Sequence, residues 1–373
     1  MRRFLGSLVL FGLAALPAAA FAQATPAATP APPDDTQSIR IGAVLFYDYT
    51  LTKKPTTKDA DGNTFTPNAF DVKRAYLNIT GNVSPLVSFR ITPDIARETG
   101  TGSSLNGSLV FRIKYAYAQL NLDRWTGPWT NTWVRLGIQQ TPFVDLQENI
   151  YRYRFQGPVF VEREGAVSSA DNGATFHTSL PNDFGDMHAA VYNGEGYPKA
   201  EVNDQKAFQV RGTIRPFAHG GAIAHGLRLT AFYVADHYLQ HAPRNRFASN
   251  IAFEHPHVNV SVDYLKMTDQ FSVNASQIKG SGWSAFVTPF LKEKGHGLEG
   301  LVRVDRYTPD STKSAQERQR TIAGIAYWFP HPGGTATAAL MLDFEQLKFA
   351  GFSSSIPANA TQQRIAIHGL INF

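Results

Sequence analysis

Basic side chains fall inside otherwise apolar stretches of this chain, at Arg40, Arg74, Arg90, Arg112, Lys114, Arg135, Arg211, Arg228, Arg303, Arg320 and Arg364. A guanidinium presents a rigid fork of N–H donors that matches phosphate and carboxylate oxygens two at a time. Several of them facing one space therefore make a device for holding or passing oxyanions. A second group, Arg152, Arg154 and Arg163, sits in one long connector that reads Ile150-Tyr151-Arg152-Tyr153-Arg154-Phe155 and then Phe160-Val161-Glu162-Arg163-Glu164. Acids share the spacing of the first group, notably Asp48, Asp94, Asp263, Asp305, Asp343 and Glu345. For any single arginine the plain alternative is an ion pair that braces a wall.

Other chemistry has thinner support. His177 and His188 lie near Ser179, but no motif fixes a nucleophile, a base and an orienting acid, so no enzyme is expected. His255-x-His257 lacks a third ligand at diagnostic spacing and, with His219, His225, His296 and His331, reads as solvated turn histidine. The chain has no cysteine, which removes disulfides and thiolate metal sites, and no cofactor is implied.

The elements that must position the arginines are strands. In the first, Ile39, Ile41, Ala43, Leu45, Tyr47 and Tyr49 alternate with Arg40, Gly42, Val44, Phe46, Asp48 and Thr50. In the last, Ile365, Ile367, Gly369, Ile371 and Phe373 oppose Arg364, His368 and Asn372. Side chains alternate across a strand at period two, so each segment has one face for lipid and one for water. Sixteen such segments follow from the pattern, near 38–50, 70–80, 87–92, 109–121, 132–140, 172–180, 186–193, 205–215, 226–238, 246–254, 258–266, 282–291, 298–307, 319–329, 336–346 and 362–373. Long polar connectors take turns with short ones such as Pro181 to Gly185 and His255-Pro256-His257, and no helix of consequence is expected. Short turns on one rim and long loops on the other predict an all-β fold: a transmembrane antiparallel up-and-down β-barrel of about 16 strands. A soluble β-sandwich or propeller is the alternative for many short strands.

An arginine aimed at lipid near the bilayer midplane costs about 2–4 kcal/mol, so the arginines inside the strands are expected to line the lumen. Leu45, Leu229 and Val302 are expected to face lipid, with Val44, Thr230 and Leu301 as their inward neighbours. Tyr47, Tyr49, Tyr115, Tyr117, Trp125, Trp129, Tyr264 and Trp283 supply aromatics for the membrane interfaces. The connector 141–171 is long for a barrel and rich in aromatics, so it is expected to fold into the pore as a constriction loop. That places Arg152, Arg154 and Arg163 at the narrowest point, with Arg74, Arg90, Arg112, Lys114 and Arg135 on nearby strands.

The N-terminus supplies an address. Met1-Arg2-Arg3, an apolar run to Ala20 and an Ala20-Phe21-Ala22 cleavage pattern read as a signal peptide over 1–22. Residues 23–37 form a Pro/Ala-rich leader and 38–373 the barrel domain. The formal charge is +5, of which Arg2 and Arg3 carry two, and the +3 that remains is too mild to argue nucleic-acid binding.

Several short motifs resemble the phosphate-selective porin O/P family. Phe70-Asp71-Val72-Lys73-Arg74-Ala75-Tyr76-Leu77-Asn78-Ile79-Thr80-Gly81 is similar to that family's basic-pair strand, with Lys73-Arg74 standing where the family has two arginines. Leu136-Gly137-Ile138-Gln139-Gln140-Thr141-Pro142-Phe143 resembles its approach to the constriction loop, Glu162-Arg163 its Glu-Arg pair, and Val191-Tyr192-Asn193-Gly194-Glu195-Gly196 its Asn-Gly turn. The terminal strand ending on Phe373 resembles the closing strand that the barrel assembly machinery reads. The resemblance implies a sixteen-stranded, homotrimeric, anion-preferring porin of the bacterial outer membrane. Its expected partners are outer-membrane lipids, lipopolysaccharide and small anions such as phosphate. A general diffusion porin with little selectivity and a plugged structural or adhesive barrel are the alternatives.

Overall fold

The computed structural model describes residues 37–221, 223–313, 315–331, 337–352 and 361–373. The expected signal peptide and nearly all of the expected leader lie outside the described residues. In chain order the barrel strands are β1 (Ser38–Lys54), β2 (Asn68–Asn82), β3 (Val87–Arg97), β4 (Leu109–Asn121), β5 (Thr130–Gln140) and β6 (Ala170–Ser179). They continue with β7 (Gly185–Tyr192), β8 (Ala207–Ile214), β9 (Leu227–Ala235), β10 (Ala242–His255) and β11 (Val258–Asp269). The ring is completed by β12 (Ile278–Pro289), β13 (Gly297–Thr308), β14 (Glu317–Phe329), β15 (Thr337–Ala350) and β16 (Thr361–Asn372). A three-residue strand, His237–Leu239, pairs with the start of β10 at the rim and is not part of the ring.

All neighbouring strands are antiparallel, and β1 pairs with both β2 and β16, which closes the sheet into a transmembrane barrel of sixteen strands. Closure gives every barrel strand a hydrogen-bonded neighbour on both sides, the condition for a sheet to sit in hydrocarbon, although β2 and β3 pair over only part of their length. The seam carries a second fastening. His368 on β16 lies between Asp48 on β1, at 2.8 Å, and Asp343 on β15, at 3.1 Å, all three buried.

Burial alternates along the strands as the sequence pattern requires. On β13, Leu298, Val302 and Arg306 are exposed while Glu299, Leu301, Arg303, Asp305 and Tyr307 are buried, so odd residues point inward there. The same alternation puts Arg320 on the inner face of β14, although that strand reads least clearly in the sequence.

Of the register shifts along the ring, two on the β2–β5 side bear on the site. Phe46 pairs with Arg74 and Tyr47 with Val72, which leaves Lys73 as an extra residue in β2. Thr92 pairs with Tyr115 and Pro93 with Ile113, which leaves Lys114 as an extra residue in β4. Pro93 has no N–H to give the ladder, and a bulge is where a strand tolerates that loss. Beyond the second bulge the facing of β4 inverts. Tyr115 and Tyr117, expected at the membrane interface, turn into the lumen against Arg90 and Arg135. Tyr47, Tyr264 and Trp283 do face outward, Tyr49 packs on the outward Phe70, and Trp125 and Trp129 are exposed in the β4–β5 turn.

The connector after β5 contains a helix where none was expected, α1 (Pro142–Tyr151), followed by the single turn α2 (Phe160–Arg163). Pro142 at the first helical position and Asp145 in the first turn favour the start, and Arg152 ends α1 in the left-handed region at φ 55°. Phe143, Val144, Gln147, Ile150 and Tyr151 fall on one helical stripe and are all buried. That stripe packs on the inner faces of β9–β15. Phe143 stacks on Phe232 with ring centres 5.0 Å apart, and Tyr151 meets Phe286 at 5.2 Å. Leu265, Leu301, Ile322 and Met341 complete this cluster from the wall side.

Candidate functional site

Between this infolded loop and the opposite wall lies a group of cations, some paired with acids and some, among the described residues, not. Arg74 on β2 and Arg112 on β4 both reach the buried Asp94 of β3, at 3.2 Å and 3.5 Å. The extra residue Lys73 bonds Asp71 at 2.8 Å. Arg90 donates instead to neutral groups, to Asn78 Oδ1 at 2.8 Å and Thr92 Oγ1 at 2.9 Å, and lies over the Tyr115 ring. Lys114 is held between the rings of Tyr76 and Tyr115 and donates to the Tyr76 hydroxyl at 3.1 Å. Arg135 donates to Gln119 Oε1 at 2.7 Å and stacks on Trp133 at 3.8 Å. Among the described residues, Arg90, Lys114 and Arg135 have no carboxylate within ion-pair distance. Aromatic faces attract a cation without cancelling its charge, so these three keep theirs, Arg90 and Arg135 half-buried and Lys114 buried.

The side chains also stand in for missing ladder. β2 and β3 share backbone pairing only between Ile79–Asn82 and Ser88–Ile91, and above that stretch the Arg74–Asp94 and Arg90–Asn78 bonds bridge the two strands.

The loop arginines have the opposite arrangement. Arg152 donates to Glu299 of β13 at 2.6 Å, and the same oxygen accepts the Tyr153 hydroxyl at 2.6 Å. Arg154 is held between Glu148 at 2.7 Å and Glu162 at 2.9 Å. Arg163 reaches Glu345 of β15 at 3.4 Å, a carboxylate that also takes Arg320 and Arg364. Gln147 donates to Asp263 at 2.7 Å, Gln156 to Asp343 at 3.0 Å, and Arg303 to the Pro158 carbonyl at 3.0 Å. These contacts fasten the loop to the wall, and the charges of Arg152, Arg154 and Arg163 are matched within it.

On the face of α1 away from that wall stand Asp145 and Glu148. Burial pushes the Asp145 carboxyl above the usual carboxylate range, while Arg135, Arg211 and Arg90 pull it back down. The interior is thus divided, with cations on β2–β5 and two acids on the helix opposite. A cavity of about 410 Å3 opens beside this division, lined by Lys73, Arg74, Arg154, Arg163, Arg320 and Arg364 together with Asp48 and Glu345.

The remaining basic positions are structural in their contacts. Arg211 bonds Asp186 and the Pro142 carbonyl, fixing the start of α1, and Arg228 pairs with Glu254 at 2.8 Å. Arg40 is exposed near the short-turn rim. Both ring nitrogens of His177 are engaged, with the Asn131 carbonyl at 2.8 Å and Asp186 at 3.3 Å, which leaves none to activate Ser179. No group of three or more potential ligands is arranged to hold a metal among the described residues.

Sequence reasoning missed the bulges and the partners. Pro93 inside a strand was the available signal for the first, since proline belongs at bulges or edges. The pairing of Arg152 with Glu299 joins residues 147 apart in the chain and had no local signal.

A closed sixteen-strand barrel with an inward-folded helical loop after its fifth strand defines the fold class of the bacterial outer-membrane porins. More particularly, the structure superposes on the anion-selective porin from Comamonas acidovorans with a TM-score of 0.60 and 12% identity, covering 91% of this chain and 100% of that one. OmpT of Vibrio cholerae in its trimer form gives 0.57 at 11% identity, covering 91% and 100%. The outer membrane channel DcaP of Acinetobacter baumannii gives 0.56 at 11% identity, covering 90% and 97%. No family model and no curated protein matches the sequence.

Proposed function

We propose that the chain is a porin of the bacterial outer membrane, a passive channel that favours small anions over cations. The observation that carries this reading is the trio Arg90, Lys114 and Arg135, which among the described residues have no carboxylate within ion-pair distance, Arg90 and Arg135 half-buried and Lys114 buried. In a narrow aqueous passage, opposite charges about 4 Å apart attract by a few kcal/mol at an effective dielectric near 20, whereas in a wide one salt screens most of that. The anion preference is therefore set between α1 and the β2–β5 wall. Arg74 and Arg112, sharing one carboxylate, add to the same field, and oxyanions such as phosphate suit the guanidinium forks. The loop arginines contribute by seating the loop rather than by meeting the permeant ion.

In this reading residues 1–22 export the chain, the final strand is the assembly signal, and the working unit is a homotrimer, as the solved OmpT trimer suggests by its fold. The test is the purified protein in a planar bilayer under a salt gradient. Stepwise conductance with a reversal potential of anion sign is expected. A barrel that inserts but does not conduct would instead be plugged, and a reversal potential near zero would make it a general diffusion pore.

A further inference from the structure

On the short-turn rim, the connector after β4 is built around two indoles. It spans residues 122–129, where the β2–β3 connector has only 83–86 and the β10–β11 connector only 256–257. Its own hydrogen bonds hold it. The Trp125 N–H donates to the Leu122 carbonyl at 2.9 Å, the Thr126 hydroxyl to the Trp129 carbonyl at 2.8 Å, and the Thr132 N–H to Asp123 Oδ1 at 2.6 Å. Gly127 turns the chain at φ 61°, a left-handed value that suits glycine. Trp125 and Trp129 nonetheless stay 58% and 40% exposed. Among the described residues Arg124 pairs with no carboxylate and lies over the Trp125 ring at 3.9 Å. A braced turn that displays two indoles and a cation suits a partner made of proline and acid.

Such a segment precedes β1, which starts on the same rim. Pro30-Ala31-Pro32-Pro33 is followed there by Asp34-Asp35. Prolines three apart fall on one edge of the left-handed, three-per-turn helix that such runs favour, and aromatic surfaces recognise that edge because it is ordered beforehand. The length also fits. Three strand-to-strand steps of about 4.8 Å separate β1 from β4, about 14 Å straight across the ladder. Counting back from Ser38, Pro33 and Pro30 are five and eight residues away, about 16 Å and 25 Å at 3.1 Å each.

We propose that the Pro-x-x-Pro run 30–33 of this same chain docks on Trp125 and Trp129, with Asp34 and Asp35 between Arg124 and the exposed Arg40 of β1. The proposal rests on the export reading above, in which cleavage after Ala22 leaves the leader on the mature chain. Reach and charge select this occupant. Seven residues separate Ala31 from Ser38, at most about 25 Å of extended chain, enough for the β4–β5 turn and too short for the β10–β11 turn across the ring. Two acids beside the prolines complement the two arginines beside the indoles.

The chain has no cysteine, so disulfide trapping tests the contact cleanly. In protein purified from the outer membrane, Ala31→Cys with Pro128→Cys, an exposed position of the turn, should cross-link within one chain under mild oxidation. Ala31→Cys with Pro256→Cys, across the ring, should not. Adding Pro30→Ala with Pro33→Ala, or Trp125→Ala with Trp129→Ala, should slow the trapping about fivefold or more. The proline variant lies outside the strand ladder, so it reads docking even where the turn variant fails to fold. Fluorine NMR of 5-fluorotryptophan protein should show the Trp125 and Trp129 signals shifted by that proline variant, with Trp283 and Trp328 unmoved. Trapping that is as fast without the prolines, or without the indoles, overturns the proposal and returns the indoles to the membrane interface. So does a disulfide formed only between chains, since the run would then seat on a neighbouring copy. An intact mass lacking residues 23–36 overturns both the proposal and the cleavage position it rests on. Trapping in a barrel that passes no current upholds the docking and counts against the channel reading alone.

Discussion

The two walls of the lumen use the same residue types to different ends. On the β9–β16 side, Arg303 pairs with Asp305, Arg246 with Asp269, and Arg320 and Arg364 with Glu345, while the loop adds Arg152 on Glu299 and Arg163 on Glu345. On the β2–β5 side, Arg90, Lys114 and Arg135 rest against Asn, Thr, Tyr, Gln and Trp. The difference lies in the partner's charge. A carboxylate converts an arginine into a rivet, whereas a neutral or aromatic partner holds its position and leaves its field intact. The first wall is therefore built to be covered by the loop, and the second to be seen by an ion.

The largest expected effect breaks the first wall. Glu299 is fully buried and holds both Arg152 and Tyr153, so Glu299→Leu strands a buried cation and should cost about 3–5 kcal/mol. Denaturant unfolding of the refolded barrel measures it, with Lys206→Ala, which breaks an exposed pair with Glu201, as a reference expected to lose under about 1 kcal/mol. Similar losses in the two variants would mean the loop is not locked.

A second contrast sets outside against inside. Val302→Arg aims a charge at lipid and should cost about 2–4 kcal/mol. On the pattern of alternation alone its inward neighbour Leu301 should accept arginine. Leu301 is only 1% exposed beneath the loop, however, so Leu301→Arg should be penalised as well. Assembly yield and unfolding midpoint read both, and free tolerance at Leu301 would show that the loop leaves this wall in solution.

The smallest effect concerns pH. Because burial raises the Asp145 carboxyl, it takes up its proton at a higher pH than an ordinary aspartate as the solution is acidified. Folding stability from this group accordingly falls as pH rises through the window between the ordinary value and the raised one. Protonation removes an acid facing Arg90 and Arg135, so anion preference should rise on acidification, ahead of the ordinary aspartate range. Asp145→Asn should abolish that step in a pH series of reversal potentials, and an unchanged series would place the step elsewhere.

Most of the barrel was legible in the sequence, because a one-residue slip in a strand exchanges its lipid and water faces and the pattern therefore has to be explicit. Ile365, Ile367 and Ile371 against Arg364 and His368 specify a face without reference to any other strand. The same logic failed at Tyr115 and Tyr117, where one bulged residue, Lys114, inverts the parity downstream. The candidate site was legible as a set of cations and not as charges with or without partners. Glu299 and Glu345 are ordinary inward acids until the register of β13 and β15 and the path of α1 bring arginines to them. α1 itself was hidden because its buried stripe, Phe143 to Tyr151, is also compatible with an aromatic-rich loop.

The central claim is that selectivity belongs to the wall whose cations lack acidic partners, and paired charge reversals in a planar bilayer test it most directly. Arg90→Glu with Arg135→Glu should abolish or invert the anion-signed reversal potential of the parent with the barrel still folded. Arg152→Glu with Arg154→Glu should keep the anion sign while making the current larger or noisier, because that change sets like charges against Glu299, Glu148 and Glu162 and unseats the loop. If the loop pair inverts the reversal potential and the wall pair leaves it at the parent value, the account is contradicted and the constriction loop carries the selectivity.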